Sequence, residues 1–395
     1  MNILMVSSLF YPTIGGVTTY IENLILSLKA KNLNVKLICP IYIEDYNLLN
    51  NENFKFDNYD VKFFIINEKK ENSKNILTGL LRKYSYNKSC HQIYEYILSN
   101  YTNENTIIHQ HDLISNFKLI KKLKKNGYKI VLTNHTGETL LWNKIPFFGK
   151  KMIDYQFKFY NFIIGPSREL AFISKKYKNK SEYFPNSIKI LNKKLLLQEK
   201  NNKLVYFCPR RWAPTKGIIY YLKALKKLKE TNREIFENCI FLFAGNGYSD
   251  YEEYKNQCQK IIEEIKSNNI ILLGDIKDPE EMKKLYYKSD FTVIPSLYEA
   301  ISLSALEAIL EGSILISTDV GGMPELISNN QTGFLCKPQS EDEILKLIKK
   351  TYGLKDVEKR DIKEKSFENV YENFNYEKLI DRHISLYKKL LLNNK

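Results

Sequence analysis

Two glutamates, Glu299 and Glu307, stand eight positions apart after an apolar run that ends at Pro295. A helix is expected to begin near Ser302, because a short loop follows the run and apolar residues then recur at helical spacing. The unclaimed backbone N–H groups of that start, around Ile301, Ser302 and Leu303, form an anion site. A carboxylate accepts hydrogen bonds from paired sugar hydroxyls, and two at this separation suit two sugar rings. The residues alone fit a capped helix with two solvated glutamates equally well.

A second cluster, Pro209 to Gly217 (PRRWAPTKG), follows another apolar run. Arg210, Arg211 and Lys216 at a strand-to-helix turn match a diphosphate, which the fork of an arginine and the point charge of a lysine neutralise without a metal. A solvated basic turn is the plain alternative. A third cluster, Asp319 to Glu325, carries Gly321 and Gly322, and Gly245 follows a further run; such glycines allow close backbone approach. His135 also sits just after an apolar run, where a strand-end histidine is the ordinary reading. His109 and His111 resemble metal ligands, but no second ligand cluster accompanies them and no D-x-D occurs, so neither a metal nor another cofactor is expected.

Short β-branched runs separated by helical segments must position these residues. Six fall before residue 190, from Ile3–Ser7 to Phe162–Pro166, and six after residue 203, from Leu204–Cys208 to Gly333–Cys336. Strands of this length alternating with helices give parallel sheets covered on both faces. The expected fold class is α/β, with two Rossmann-like domains facing across a cleft: residues 1–190, and residues 204–370 after the polar stretch 190–203. A last amphipathic segment, 376–392, is free to pack back on the first domain.

Composition narrows the classes. The chain has 395 residues, six cysteines without a C-x-x-C pair, and no apolar run of membrane-spanning length, and its start reads as a buried strand rather than a leader. A cytoplasmic location is expected. The formal charge of +15 is uneven: residues 1–190 carry 27 Lys+Arg against 15 Asp+Glu, and residues 191–395 carry 33 against 30. A basic first half suits an anionic partner.

In order and spacing these blocks resemble the retaining GT-B glycosyltransferases of family 4, over nearly the whole chain. Further points of likeness are Gly15-Gly16 after the first strand, His109 and His111, Thr133 with His135, Pro166-Ser167, and Pro185-Asn186-Ser187. The resemblance implies that Arg211 and Lys216 meet the donor diphosphate. Glu299 would bind the transferred sugar, Glu307 the ribose, and the amides of Ile301, Ser302 and Leu303 the phosphate. Gly16 and Gly245 would line the donor cleft, and His135 would lie near the reacting sugar. It further implies metal-independent transfer of a hexose, with retention, from a UDP- or GDP-sugar to a glycan or lipid-linked acceptor in cell-surface polysaccharide or glycolipid synthesis. The chain departs from the pattern at Arg210, Ser187 and Ile301-Ser302, where the family commonly has Gly, Gly and Phe-Gly. Which of the two arginines meets the phosphate stays open.

The basic half also mixes aromatics with lysines. Trp142, Phe147, Phe148, Lys150 and Lys151 suit an acceptor or an anionic membrane surface, with peripheral docking on the inner leaflet. A nucleotide-sugar 2-epimerase of the same architecture, and a membrane or nucleic-acid adaptor, are the competing readings. The donor blocks lie in the nearly neutral half, which favours an enzyme and gives no reason to expect nucleic acid. SSLFYPTIGGVTT lacks the G-x-G-x-x-G of a dehydrogenase.

Overall fold

The computed structural model describes every residue except 13–14, 52–55, 57, 69–75, 112–116, 136–144, 176–179, 191–194, 196–201, 247–250, 277 and 393–395, and omits the side chains of 76–82 and 173–175. The chain divides into two units, Met1–Pro185 with Tyr376–Lys395, and Asn186–Asn375.

The first unit holds a parallel sheet of β1 (Asn2–Val6), β2 (Asn34–Tyr42), β3 (Val61–Ile66), β4 (Thr106–Gln110), β5 (Lys129–Thr133), β6 (Phe162–Gly165) and β7 (Ser181–Tyr183), in the order β3-β2-β1-β4-β5-β6-β7. Alternate side chains of one strand feed opposite faces of the sheet. Ile3 and Met5 join a core with Tyr20, Leu24 and Leu28 of the helix Gly16–Ala30, while Leu4 and Val6 join another with Ile93, Ile97, Ile120 and Leu123. The terminal helix Tyr376–Leu392 supplies Tyr376, Leu379, Ile380, Leu386 and Tyr387 to the former core.

The second unit holds β8 (Leu204–Pro209), β9 (Cys239–Ala244), β10 (Ile270–Gly274), β11 (Phe291–Ile294), β12 (Ile314–Thr318) and β13 (Phe334–Cys336), in the order β10-β9-β8-β11-β12-β13, again all parallel. In both sheets the strand order reverses beside the first strand, between β1 and β4 and between β8 and β11. At such a switch point the loops leaving the two strands diverge, opening a crevice at their carboxyl ends.

Two expectations are corrected. The first sheet has seven strands, not six: Ser181–Tyr183 pairs with β6, although Ser-Glu-Tyr offers no apolar run to reveal it. The boundary lies at Pro185 rather than residue 190. Ile188 forms a bridge with Asn375, and its N–H donates to Phe374 O at 3.0 Å, which ties the start of the second unit to its end.

Candidate functional site

In the second unit the site grows from the carboxyl ends of β8 and β11. After β8, Arg210 N–H donates to Ala244 O at 3.0 Å, and the chain then turns through a 3-10 turn, Pro214–Lys216. Gly217 ends that turn with φ 65°, and a Cβ there would lie 1.9 Å from Pro295 O. Leu297 N–H donates to Thr215 O at 2.8 Å, so the β8 turn and the β11 loop are fastened backbone to backbone.

That fastening brings three charges together. Lys216 Nζ donates to Glu299 Oε2 at 2.8 Å, Ser296 Oγ donates to the same oxygen at 3.1 Å, and Arg210 Nη2 donates to it as well. Arg210 Nη1 reaches Ser302 Oγ at 3.1 Å, while its buried Nε has no hydrogen-bond partner. Burial raises the Glu299 carboxyl, but Arg210 and Lys216 outweigh it and hold it at about 2. Burial and then Arg210 push the Lys216 ammonium down, against the pull of Glu299. A buried arginine and a half-buried lysine thus share one carboxylate, leaving a net positive charge at the head of the sheet.

The helix Leu303–Leu310 begins here. Ser302 is its N-cap residue yet accepts from Arg210 and makes no side-chain cap to the helix. Ile301, Ser302 and Leu303 are buried, and Asn186 Nδ2 holds Ile301 O at 2.8 Å. Glu307 lies one turn further on and accepts from Tyr286 OH at 3.1 Å. Burial raises its carboxyl, and the Tyr286 bond, Arg210 and Lys283 offset this only in part.

The glycines of the other turns buttress the two sides of this cluster, Gly321 and Gly322 the loop after β11 and Gly245 the turn after β8. A Cβ on Gly321 (φ 53°) would lie 1.7 Å from Glu299 O, and one on Gly245 (φ 104°) would lie 2.5 Å from Arg210 O. Gly322 N–H donates to Ala300 O at 3.1 Å.

Arg211, to which the resemblance gave the phosphate, is exposed; Arg210 is the arginine joined to Glu299 and Ser302. Two adjacent arginines are indistinguishable in sequence until the strand's end fixes which one turns inward.

In the first unit, His135 follows β5 and His111 follows β4. His135 Nε2 faces His111 Nδ1 at 3.4 Å, and its ring packs edge-on to Tyr20 at 4.7 Å. His109 bonds Tyr387 OH at 2.7 Å and Thr133 Oγ1 at 2.8 Å, and His383 Nε2 faces Tyr20 OH at 3.2 Å. Burial holds His135 at about 3 and His383 at about 4, and puts His109 and His111 well below the usual range, so all four rings are neutral. His383 and Tyr387 join this network from the last helix, whose amphipathic spacing announces a buried face but not these hydrogen-bond partners. Among the described residues no three His, Cys, Asp or Glu are grouped to hold a metal. Gly16 opens the helix Gly16–Ala30, and a Cβ there would meet nothing within 4 Å. Phe147, Phe148, Lys150 and Lys151 lie in the helix Phe147–Phe157, while Trp142 falls outside the described residues. No helix among the described residues is long and apolar enough to cross a membrane.

Residues 189–369 match the family model of glycosyl transferases group 1. The lipopolysaccharide 1,2-N-acetylglucosaminetransferase of Salmonella typhimurium is 29% identical over 198 residues, 49% of each chain. The UDP-Gal:alpha-D-GlcNAc-diphosphoundecaprenol alpha-1,3-galactosyltransferase of Escherichia coli is 27% identical over 203 residues, 51% of this chain and 49% of that one. The chain thus spans about half the length of these curated relatives. Sucrose-phosphate synthase from Thermosynechococcus elongatus superposes with a TM-score of 0.78, covering 99% of both chains at 17% identity. The fold is GT-B.

Proposed function

We propose that the chain is a retaining, metal-independent glycosyltransferase that moves a hexose from a nucleoside-diphosphate donor to a glycan or lipid-linked acceptor. The observation that carries this reading is the Arg210–Lys216–Glu299 cluster at the switch point of the second sheet. Its surplus positive charge and the unpartnered Arg210 Nε call for an anion. A donor diphosphate would take Arg210 and Lys216 and stabilise the departing nucleotide by charge rather than by a metal. Glu299, released from both cations, would turn to the hydroxyls of the transferred sugar and support the positive charge that develops at its anomeric carbon. Glu307 would take the ribose hydroxyls, and the amides at Ser302 and Leu303 would take phosphate oxygens. By the resemblance, His135 of the first unit would serve the reacting sugar and Gly16 the donor.

The printed names of two relatives, a lipopolysaccharide glycosyltransferase and a galactosyltransferase acting on a diphosphoundecaprenol-linked sugar, favour an acceptor of cell-surface polysaccharide or glycolipid synthesis. The latter also favours a UDP-sugar over a GDP-sugar. The basic first unit would carry such an acceptor, working in the cytoplasm at an anionic membrane surface.

Thermal unfolding with UDP-, GDP- and ADP-sugars tests the donor reading, because a ligand that binds the folded state raises stability by mass action. One nucleotide class should raise the midpoint in wild-type protein, with the gain lost in Arg210→Ala and Lys216→Ala. If no nucleotide sugar protects, the proposal fails.

A further inference from the structure

We propose that the outward face of the helix Phe147–Phe157, together with the helix Phe117–Lys125, is a docking surface for an anionic lipid bilayer. The inference rests on the reading of the first unit as the acceptor side and names the surface that does the docking.

The helix Phe147–Phe157 is apolar on both sides. Ile153, Gln156 and Phe157 face the core and are buried. The opposite side should be polar, yet Phe147 is 64% exposed, Phe148 83%, Met152 50% and Tyr155 42%. Residues 148, 152 and 155 follow i, i+4, i+7 spacing, so they form one stripe rather than scattered exposures.

The neighbouring helix extends that stripe with charge. Phe117 packs edge-on to Tyr155 at 5.7 Å, and Lys121 Nζ donates to Tyr155 OH at 3.0 Å. Lys118, Lys122 and Lys125 are exposed beside it, and Lys151 Nζ sits 4.4 Å from the centre of the Phe147 ring. Together the two helices carry seven lysines against one acid, Asp154.

This chemistry selects the occupant. Aromatic and thioether side chains flanked by lysines suit the boundary between acyl chains and anionic headgroups, where the lysine stems lie along apolar surface and their heads reach the phosphates. A second copy of the chain would bring two lysine-rich faces together, with no acidic stripe to receive either. Nucleic acid would answer the lysines but leave the Phe148–Met152 stripe in water.

Co-sedimentation of the full chain with vesicles tests the proposal. At low salt, wild-type protein should pellet with vesicles of equal parts phosphatidylglycerol and phosphatidylcholine and stay in solution with phosphatidylcholine alone. Phe147→Ser with Phe148→Ser should weaken binding to the mixed vesicles at least tenfold. Lys150→Glu with Lys151→Glu should weaken it by about fivefold or more per lysine and flatten its salt dependence. Circular dichroism and melting of each variant establish that it is folded. Absence of pelleting overturns the proposal, as does pelleting that both folded variants retain. So does a wild-type dimer that the serine pair dissociates, or release from the vesicles by RNA but not by an equal ionic strength of salt. Protection of wild-type protein by nucleotide sugars is measured on the same preparation. Its failure would sink the donor reading while leaving the vesicle result standing.

Discussion

Arg210 donates to the Glu299 carboxylate with one nitrogen and to Ser302 Oγ with another, so a single guanidinium ties the loop after β11 to the start of the following helix. Removing it leaves the largely buried Glu299 carboxylate with only Lys216 as a charged partner. Arg210→Ala should cost about 3 kcal/mol in urea unfolding and lower donor affinity by roughly ten- to a hundredfold in a thermal-shift titration. Arg211→Ala, on the exposed side of the turn, should change stability by no more than about 0.5 kcal/mol. The reverse ranking would restore Arg211 to the site.

Two glycines separate steric need from ligand access. Gly321→Ala forces a Cβ against Glu299 O, in a backbone conformation that side chains resist, so it should cost about 2 kcal/mol or more and reduce donor protection with it. Gly16→Ala meets no neighbour and should leave the melting temperature unchanged or slightly raised while lowering turnover. Full activity in Gly16→Ala would show that nothing approaches the helix start closely.

The two units should fail in acid over different windows. His135 and His383 titrate at about 3 and 4 when folded, against about 6.5 when exposed, so the unfolded first unit binds more protons between these limits. Its stability is complete above pH 6.5 and falls as the pH drops toward 4 and 3. Glu299 sits at about 2 against an ordinary 4.5, so its contribution to the second unit is intact above pH 4.5 and is lost toward pH 2. In Trp142→Phe, the fluorescence of Trp212 reports the second unit alone. Its acid transition should come at lower pH than the first loss of circular dichroism, and coincident transitions would refute the separation.

Tyr387→Phe removes the hydroxyl that bonds His109 Nδ1 at 2.7 Å and leaves a buried ring nitrogen unpaired. It should cost about 1–3 kcal/mol in urea unfolding although position 387 lies far in sequence from β4. A neutral effect would mean that water replaces the hydroxyl.

Strand positions were legible because β-branched runs such as Ile107-Ile108 and Val293-Ile294 announce burial by themselves. The three residues of β7 did not, since their place depends on pairing with β6 rather than on their own character. Glu299 and Lys216 were legible from type and spacing, and they do meet. Arg210 was ranked behind its neighbour because inward and outward turns after a strand share one composition. Gly321 and Gly322 were read as allowing close backbone approach, and the backbone that approaches is that of Glu299 and Ala300, a partner that neither segment's own sequence names. The histidine network was half visible, since His109 lies within a strand and His111 and His135 just after strands, while His383 and Tyr387 arrive from the last helix.

That last helix also sets an order of assembly. Residues 186–375 are an insertion within the first unit, and Tyr376, Leu379, Ile380 and Tyr387 reach its core only after the insertion has been made. On the ribosome, the second unit has every residue it needs while the first still lacks a wall of its core. A nascent chain arrested soon after Asn375 has left the exit tunnel should therefore resist protease across the second unit and remain open to cleavage in the first.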